Sequence, residues 1–171
     1  IGKEDFSEEA YFDVIRKKTA ALFKASSQSG AVSVGAVQEE VMKAGLLGEM
    51  IGIAFQIKDD IFDYFESPEL GKPTGNDMLE GKLTLPALYV LNQTGDDSLK
   101  QAALKIRSLE ASKEEIADFV ETVKEKGGIE YATRMMYEFR DKALALVPAS
   151  VDSSLKEALT AYIDYVIERN K

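Results

Sequence analysis

Apolar residues recur at three- and four-residue spacing along almost the whole chain, and no run alternates apolar with polar positions between hairpin turns. The pattern predicts an all-α protein. Ser7 followed by Glu8 and Glu9 makes a capped start, and Tyr11, Val14, Ile15, Lys18, Thr19, Leu22 and Phe23 continue at helical spacing. A first helix is therefore expected over about 7 to 26, with Ser26, Ser27, Ser29 and Gly30 as its breakers. A second, long helix is expected from about Gly35 through Phe65, stopped by Ser67 and Pro68. A turn-rich stretch, Glu66 to Gly81, precedes five further helices at about 83 to 93, 97 to 108, 113 to 126, 129 to 147 and 152 to 169. Ser112 and Glu115 stand at capping-box spacing. The longest apolar stretch, Ala44 to Ile57, is broken by Glu49 and Gln56 and is shorter than the ~20 residues that span a bilayer. With no internal repeat, low-complexity tract or linker, one helical domain over residues 1–171 is the expectation.

Composition narrows the chemistry. The 171 residues include no His, Cys or Trp, which excludes Ser-His-Asp and Cys-His nucleophilic sites, His-bearing zinc and di-iron centres, and disulfides. Lys and Arg total 21 against 30 Asp and Glu, a net charge of -9 that argues against nucleic-acid binding, which needs a basic footprint. No signal peptide opens the sequence, so a cytoplasmic protein is expected.

The segment Phe55-Gln56-Ile57-Lys58-Asp59-Asp60-Ile61-Phe62-Asp63-Tyr64 sets three carboxylates in an otherwise apolar helix. At ~100° per residue, Gln56, Asp59, Asp60 and Asp63 share one face. Like charges so close repel one another and burial penalises their ionisation, costs that a divalent cation would remove. Hard oxygen donors without His or Cys suit Mg²⁺, which commonly bridges carboxylates to substrate phosphates. A solvated acidic helix face is the competing reading and stands on even terms with the motif alone. Gly45, Gly48 and Gly52 lie on nearly the same side and leave room either for close helix packing or for an apolar groove. The loop Gly71 to Pro86 carries Lys72 and Lys82 with exposed backbone amides, as a phosphate-holding loop or a plain polar connection would.

Taken in order, these segments resemble the C-terminal half of the trans-isoprenyl diphosphate synthases, the polyprenyl synthetase family. The match runs through Tyr11-x3-Ile15-x2-Lys18-Thr19-Ala20-x-Leu22, Gly30-Ala31 and Phe55-Gln56-Ile57-x-Asp59-Asp60-x2-Asp63. It continues in Gly71-Lys72-Pro73-x-Gly75-Asn76-Asp77-x2-Glu80-Gly81-Lys82-x-Thr84-Leu85-Pro86 and, more loosely, in Gly127 to Ala132 and Tyr165 to Arg169. The resemblance implies a helical bundle around a central cavity, here without its N-terminal helices, and a homodimer. It implies head-to-tail condensation of an allylic diphosphate with isopentenyl diphosphate, with Asp59, Asp60 and Asp63 holding Mg²⁺ and Lys18 and Lys72 contacting the allylic diphosphate. Lys82 is the further loop lysine assigned to that diphosphate. Mg²⁺ and lysine would stabilise the departing pyrophosphate, while Thr19 and Gln56 would face the allylic cation.

The family's first aspartate-rich motif and its upstream basic residues have no counterpart in these 171 residues. The chain alone is therefore expected to be inactive, requiring the missing N-terminal half. The alternative expectation is a non-catalytic helical subunit of a heteromeric prenyl diphosphate synthase.

Overall fold

A computed structural model describes residues 6–65 and 74–168. All regular structure among them is helical, in the order α1 (Glu8–Ile15), a π-helical turn (Arg16–Ala20), α2 (Ala21–Ser33), α3 (Gln38–Phe62), α4 (Asn76–Leu79), α5 (Leu85–Thr94), α6 (Asp97–Arg107), α7 (Lys113–Glu125), α8 (Gly128–Ala145) and α9 (Ser153–Glu168). The described residues fall into two compact units, one of 6–11, 59–65 and 74–133, the other of 12–58 and 134–168.

In the second unit the first helix outruns its sequence signals. Ser26 to Gly30 do not end it, and helix continues to Ser33. The serine-rich stretch is only a weak breaker, and Ser27 lies against α3, so interhelical packing outweighs local propensity. The stop comes at Gly35, which takes a left-handed φ of 75°. Its N–H donates to the Val32 carbonyl at 3.0 Å and that of Ala36 donates to the Ala31 carbonyl at 3.1 Å, the paired bonds of a Schellman cap. Between α1 and α2 the π turn is marked by the Ala21 N–H reaching back to the Arg16 carbonyl, five residues away. Phe12 packs on Phe139 of α8 and Phe23 on Phe55 of α3, with ring centroids 5.5 and 5.4 Å apart. Arg140 of α8 sets Nε and Nη2 on Asp164 of α9, each at 2.7 Å.

The first unit is built on α4 to α7. Met78, Ala87, Val90, Leu91, Leu99, Ala103, Ile106, Ile116, Phe119, Val120 and Val123 bury one face of each helix around Tyr64. Local chemistry fixes the helix ends. The Asp96 carboxylate accepts from the amides of Ser98 and Leu99 through the single oxygen Oδ1 to start α6. The Ser112–Glu115 capping box forms in both directions at the start of α7. At the end of α6 the chain turns through Leu109, which holds a left-handed φ of 62° without being glycine. Its side chain is 66% exposed.

Candidate functional site

The acidic segment ends α3. Asp59 is half-buried, Asp60 is 4% exposed and Asp63 follows the last helical residue, half-buried. Asp60 reaches back to helix α1, where the buried Tyr11 hydroxyl donates to its Oδ2 at 2.6 Å. Burial first, then the Asp60 charge and this hydrogen bond, push the Tyr11 hydroxyl well above its usual pKa, so it stays protonated as donor. Beneath it Tyr64 is fully buried beside Thr84, and burial raises its pKa as well. Asp63 turns its two oxygens to backbone amides, Oδ1 accepting from Asn76 at 3.1 Å and Oδ2 from Asp77 at 3.0 Å. Among the described residues no three acidic side chains converge on one point that could hold a cation. The donor chemistry nevertheless fits Mg²⁺: the group is all carboxylate, and the Tyr11 hydroxyl holds Asp60 in one orientation.

Lys82, in the loop after α4, is half exposed, pairs with Glu80, and lies 3.8 Å from Asp77. The Glu80 hydrogen bond holds its ammonium above the ordinary lysine value. Lys72 lies outside the described residues.

The second unit carries Lys18, Thr19 and Gln56. The π turn places Lys18 on the exposed side, without an ion pair among the described residues. Thr19 is half-buried and donates from Oγ1 to Gln56 Oε1 at 2.6 Å. This bond is made possible by the glycine stripe of α3. A Cβ on Gly52 would lie 2.7 Å from Ala20 Cα and 3.0 Å from its Cβ, and one on Gly48 would lie 2.5 Å from the Phe23 carbonyl oxygen. The stripe is thus a packing seam against the π turn and α2, not an open groove. Glu49, one residue after Gly48, reinforces the seam by pairing with Lys24 at 2.7 Å and Arg16 at 3.5 Å.

The structure bears out helical positions for Asp59, Asp60, Thr19 and Gln56. Helix α3 ends at Phe62 rather than Phe65, however, so Asp63 lies just past the helix, where its carboxylate meets the amides of Asn76 and Asp77. Tyr11 as the partner of Asp60 and the π turn are likewise not foreseen from the sequence. Tyr11 and Asp60 are 49 positions apart, and no local pattern joins them.

The polyprenyl synthetase family matches residues 2–123 of the chain. A crystal structure of geranylgeranyl pyrophosphate synthase from Bacteroides thetaiotaomicron is 57% identical, with a TM-score of 0.92 over 97% of this chain and 55% of its own. Heptaprenyl diphosphate synthase component 2 of Geobacillus stearothermophilus is 37% identical over 90% of this chain and 48% of its own. A polyprenyl synthase of Caulobacter crescentus, crystallised with calcium and isoprenyl diphosphate, is 30% identical with a TM-score of 0.83 over 99% of this chain and 52% of its own. The chain spans about half the length of the curated relatives it matches. No described helix is long and apolar enough to cross a membrane. With the family match covering Tyr11, Asp60, Asp63 and Lys82 together, the chain belongs to the polyprenyl synthetase family.

Proposed function

We propose that this chain supplies the diphosphate-handling half of a trans-prenyltransferase that condenses an allylic diphosphate with isopentenyl diphosphate and releases pyrophosphate. The observation that carries the reading is the end of α3, where Asp59, Asp60 and Asp63 stand at the spacing of the family's aspartate-rich motif and Asp60 is buried and oriented by the Tyr11 hydroxyl. Asp59, Asp60 and Asp63 would hold Mg²⁺, directly or through water. Bound there, Mg²⁺ would stabilise negative charge on a departing pyrophosphate. Lys18, Lys72 and Lys82 offset the charge of the substrate diphosphate, Lys82 exchanging its carboxylate partners for phosphate oxygens. The Thr19–Gln56 hydrogen bond fixes the orientation of two polar side chains, whose remaining oxygen lone pairs would stabilise the allylic cation. The crystal structure of the Caulobacter relative with calcium and isoprenyl diphosphate supports both the divalent cation and the substrate class.

A second reading, a subunit of a heteromeric synthase, is favoured by the likeness to a heptaprenyl synthase component 2. A homodimer would be the simpler assembly. One assay separates them: turnover of radiolabelled isopentenyl diphosphate with an allylic diphosphate and Mg²⁺, by the chain alone and with the N-terminal half of a full-length relative supplied fused or as a separate polypeptide. Turnover only with the added half, abolished by Asp60→Asn, is expected. Turnover insensitive to Asp60→Asn would reject the reading.

A further inference from the structure

Asp63 meets residues 75–77, at the start of α4, through three hydrogen bonds. Its backbone carbonyl accepts from the Gly75 N–H at 2.8 Å, and its carboxylate accepts from Asn76 and Asp77. Helix α4 needs this. Its N-cap position is Gly75, held at a left-handed φ of 76° and lacking any side chain with which to cap the helix. Asp63 supplies the cap from a different part of the chain, with a negative charge where the first amides of a helix favour one. The connection then runs on, because the Asp77 carbonyl accepts from the Lys82 N–H at 2.8 Å.

We propose that Asp63 is a positioning residue, which caps α4 through Asn76 and Asp77 and thereby sets where Lys82 presents its ammonium to the substrate diphosphate. The anchoring rests on hydrogen bonds the chain makes by itself, whereas its purpose rests on the role of Lys82 proposed above. A reading of the acidic motif as three equivalent metal ligands gives Asp63 no such task. The two tasks are separable by chemistry. Asparagine keeps an oxygen that can accept both amides, as the single Oδ1 of Asp96 does for Ser98 and Leu99, but it gives up the charge. Alanine gives up both.

The test compares wild type, Asp63→Asn and Asp63→Ala as the full 171-residue chain, with amide hydrogen exchange measured in the absence of metal. The Ala variant should lose protection at Asn76, Asp77 and Lys82 by at least about tenfold while Leu88 in α5 keeps its own, and the Asn variant should stay within about threefold of wild type. Unchanged protection in the Ala variant overturns the anchor. If the Ala variant does not fold, the Asn variant decides, and a tenfold loss there overturns it. A second arm titrates inorganic pyrophosphate into wild type, Asp63→Ala, Lys82→Ala and the double variant without metal, where any metal-holding role of Asp63 is silent, and into wild type with Mg²⁺ as well. Binding by the double variant no weaker than by Lys82→Ala shows the two residues acting as one unit, and additive losses overturn the link to Lys82. Wild type that binds no pyrophosphate even with Mg²⁺ would remove the functional reading and with it the purpose proposed for Asp63, while the exchange arm still decides the anchor.

Discussion

The Tyr11 hydroxyl donates to Asp60 Oδ2 across 2.6 Å, tying the first helix of the chain to the acidic end of α3. Both residues are more than nine-tenths buried. A bond to a buried carboxylate contributes more than a neutral one, so Tyr11→Phe should lower stability by about 2 kcal/mol with little change in fold. Urea unfolding with circular dichroism of both proteins measures the difference. A loss below about 0.5 kcal/mol would show that Asp60 draws its stabilisation from elsewhere.

The same burial sets an alkaline limit. Tyr11 and Tyr64 both have folded pKa values above the ordinary 10.0, chiefly through desolvation. Each therefore binds its proton more tightly folded than unfolded. Their contribution is complete below the unfolded pKa and declines as pH rises past it, by about 1.4 kcal/mol per pH unit for each tyrosine until the folded value is passed. Denaturant midpoints between pH 8 and pH 11 should fall above about pH 10, and less steeply in Tyr11→Phe. Equal slopes in the two proteins would contradict the burial argument.

Two glycines of the second unit should respond with opposite sign. A Cβ on Gly52 would press on the Ala20 backbone, so Gly52→Ala should destabilise by about 1–3 kcal/mol despite the better helix propensity of alanine. A Cβ on Gly30, within α2, meets nothing within 4 Å, so Gly30→Ala should stabilise by roughly 0.5–1 kcal/mol. Thermal melts of the pair test whether the seam or propensity dominates at each position.

Leu109 offers a stabilising change. Its φ of 62° strains any L-residue with a Cβ, and at 66% exposure its side chain has little burial to lose. Leu109→Gly should raise stability by about 0.5–1 kcal/mol, net of the greater freedom glycine gives the unfolded chain. A lower melting temperature for the glycine variant would show that the contact of Leu109 over Gly81 outweighs the strain.

What the sequence could show depended on the range of the interaction behind it. The Ser112–Glu115 box was legible because three residues suffice to define it. The ends of α5 to α9 fell within a few residues of expectation for the same reason, through Gly95, Gly127 and Pro148. Ser26 to Gly30 misled because their weak local preference gave way to packing of Phe23 and Ser27 on Gly48, contacts between segments some twenty residues apart. The glycine stripe was readable as a need for space, but only the position of Ala20 decides that a helix fills it. The aspartates were visible as an improbable cluster, and their likeness to a family motif suggested a role. That Asp60 answers to Tyr11 and Asp63 to two amides 13 and 14 positions further on is tertiary information, absent from any window of sequence.

The π turn at Arg16–Ala20 gives the count of residues in the first helix a physical meaning. Such a turn holds about one residue more than the α turn it replaces, and the helix on either side keeps its facing, with Phe12 still on Phe139 and Phe23 still on Phe55. Deleting one residue between Arg16 and Thr19 would let ordinary helical bonding close the gap without disturbing those aromatic pairs. Only the turn itself would be redrawn, and with it the direction of the Thr19 hydroxyl toward Gln56. A one-residue gap at this point in an alignment of relatives would therefore mark not a change of length but the gain or loss of that orientation.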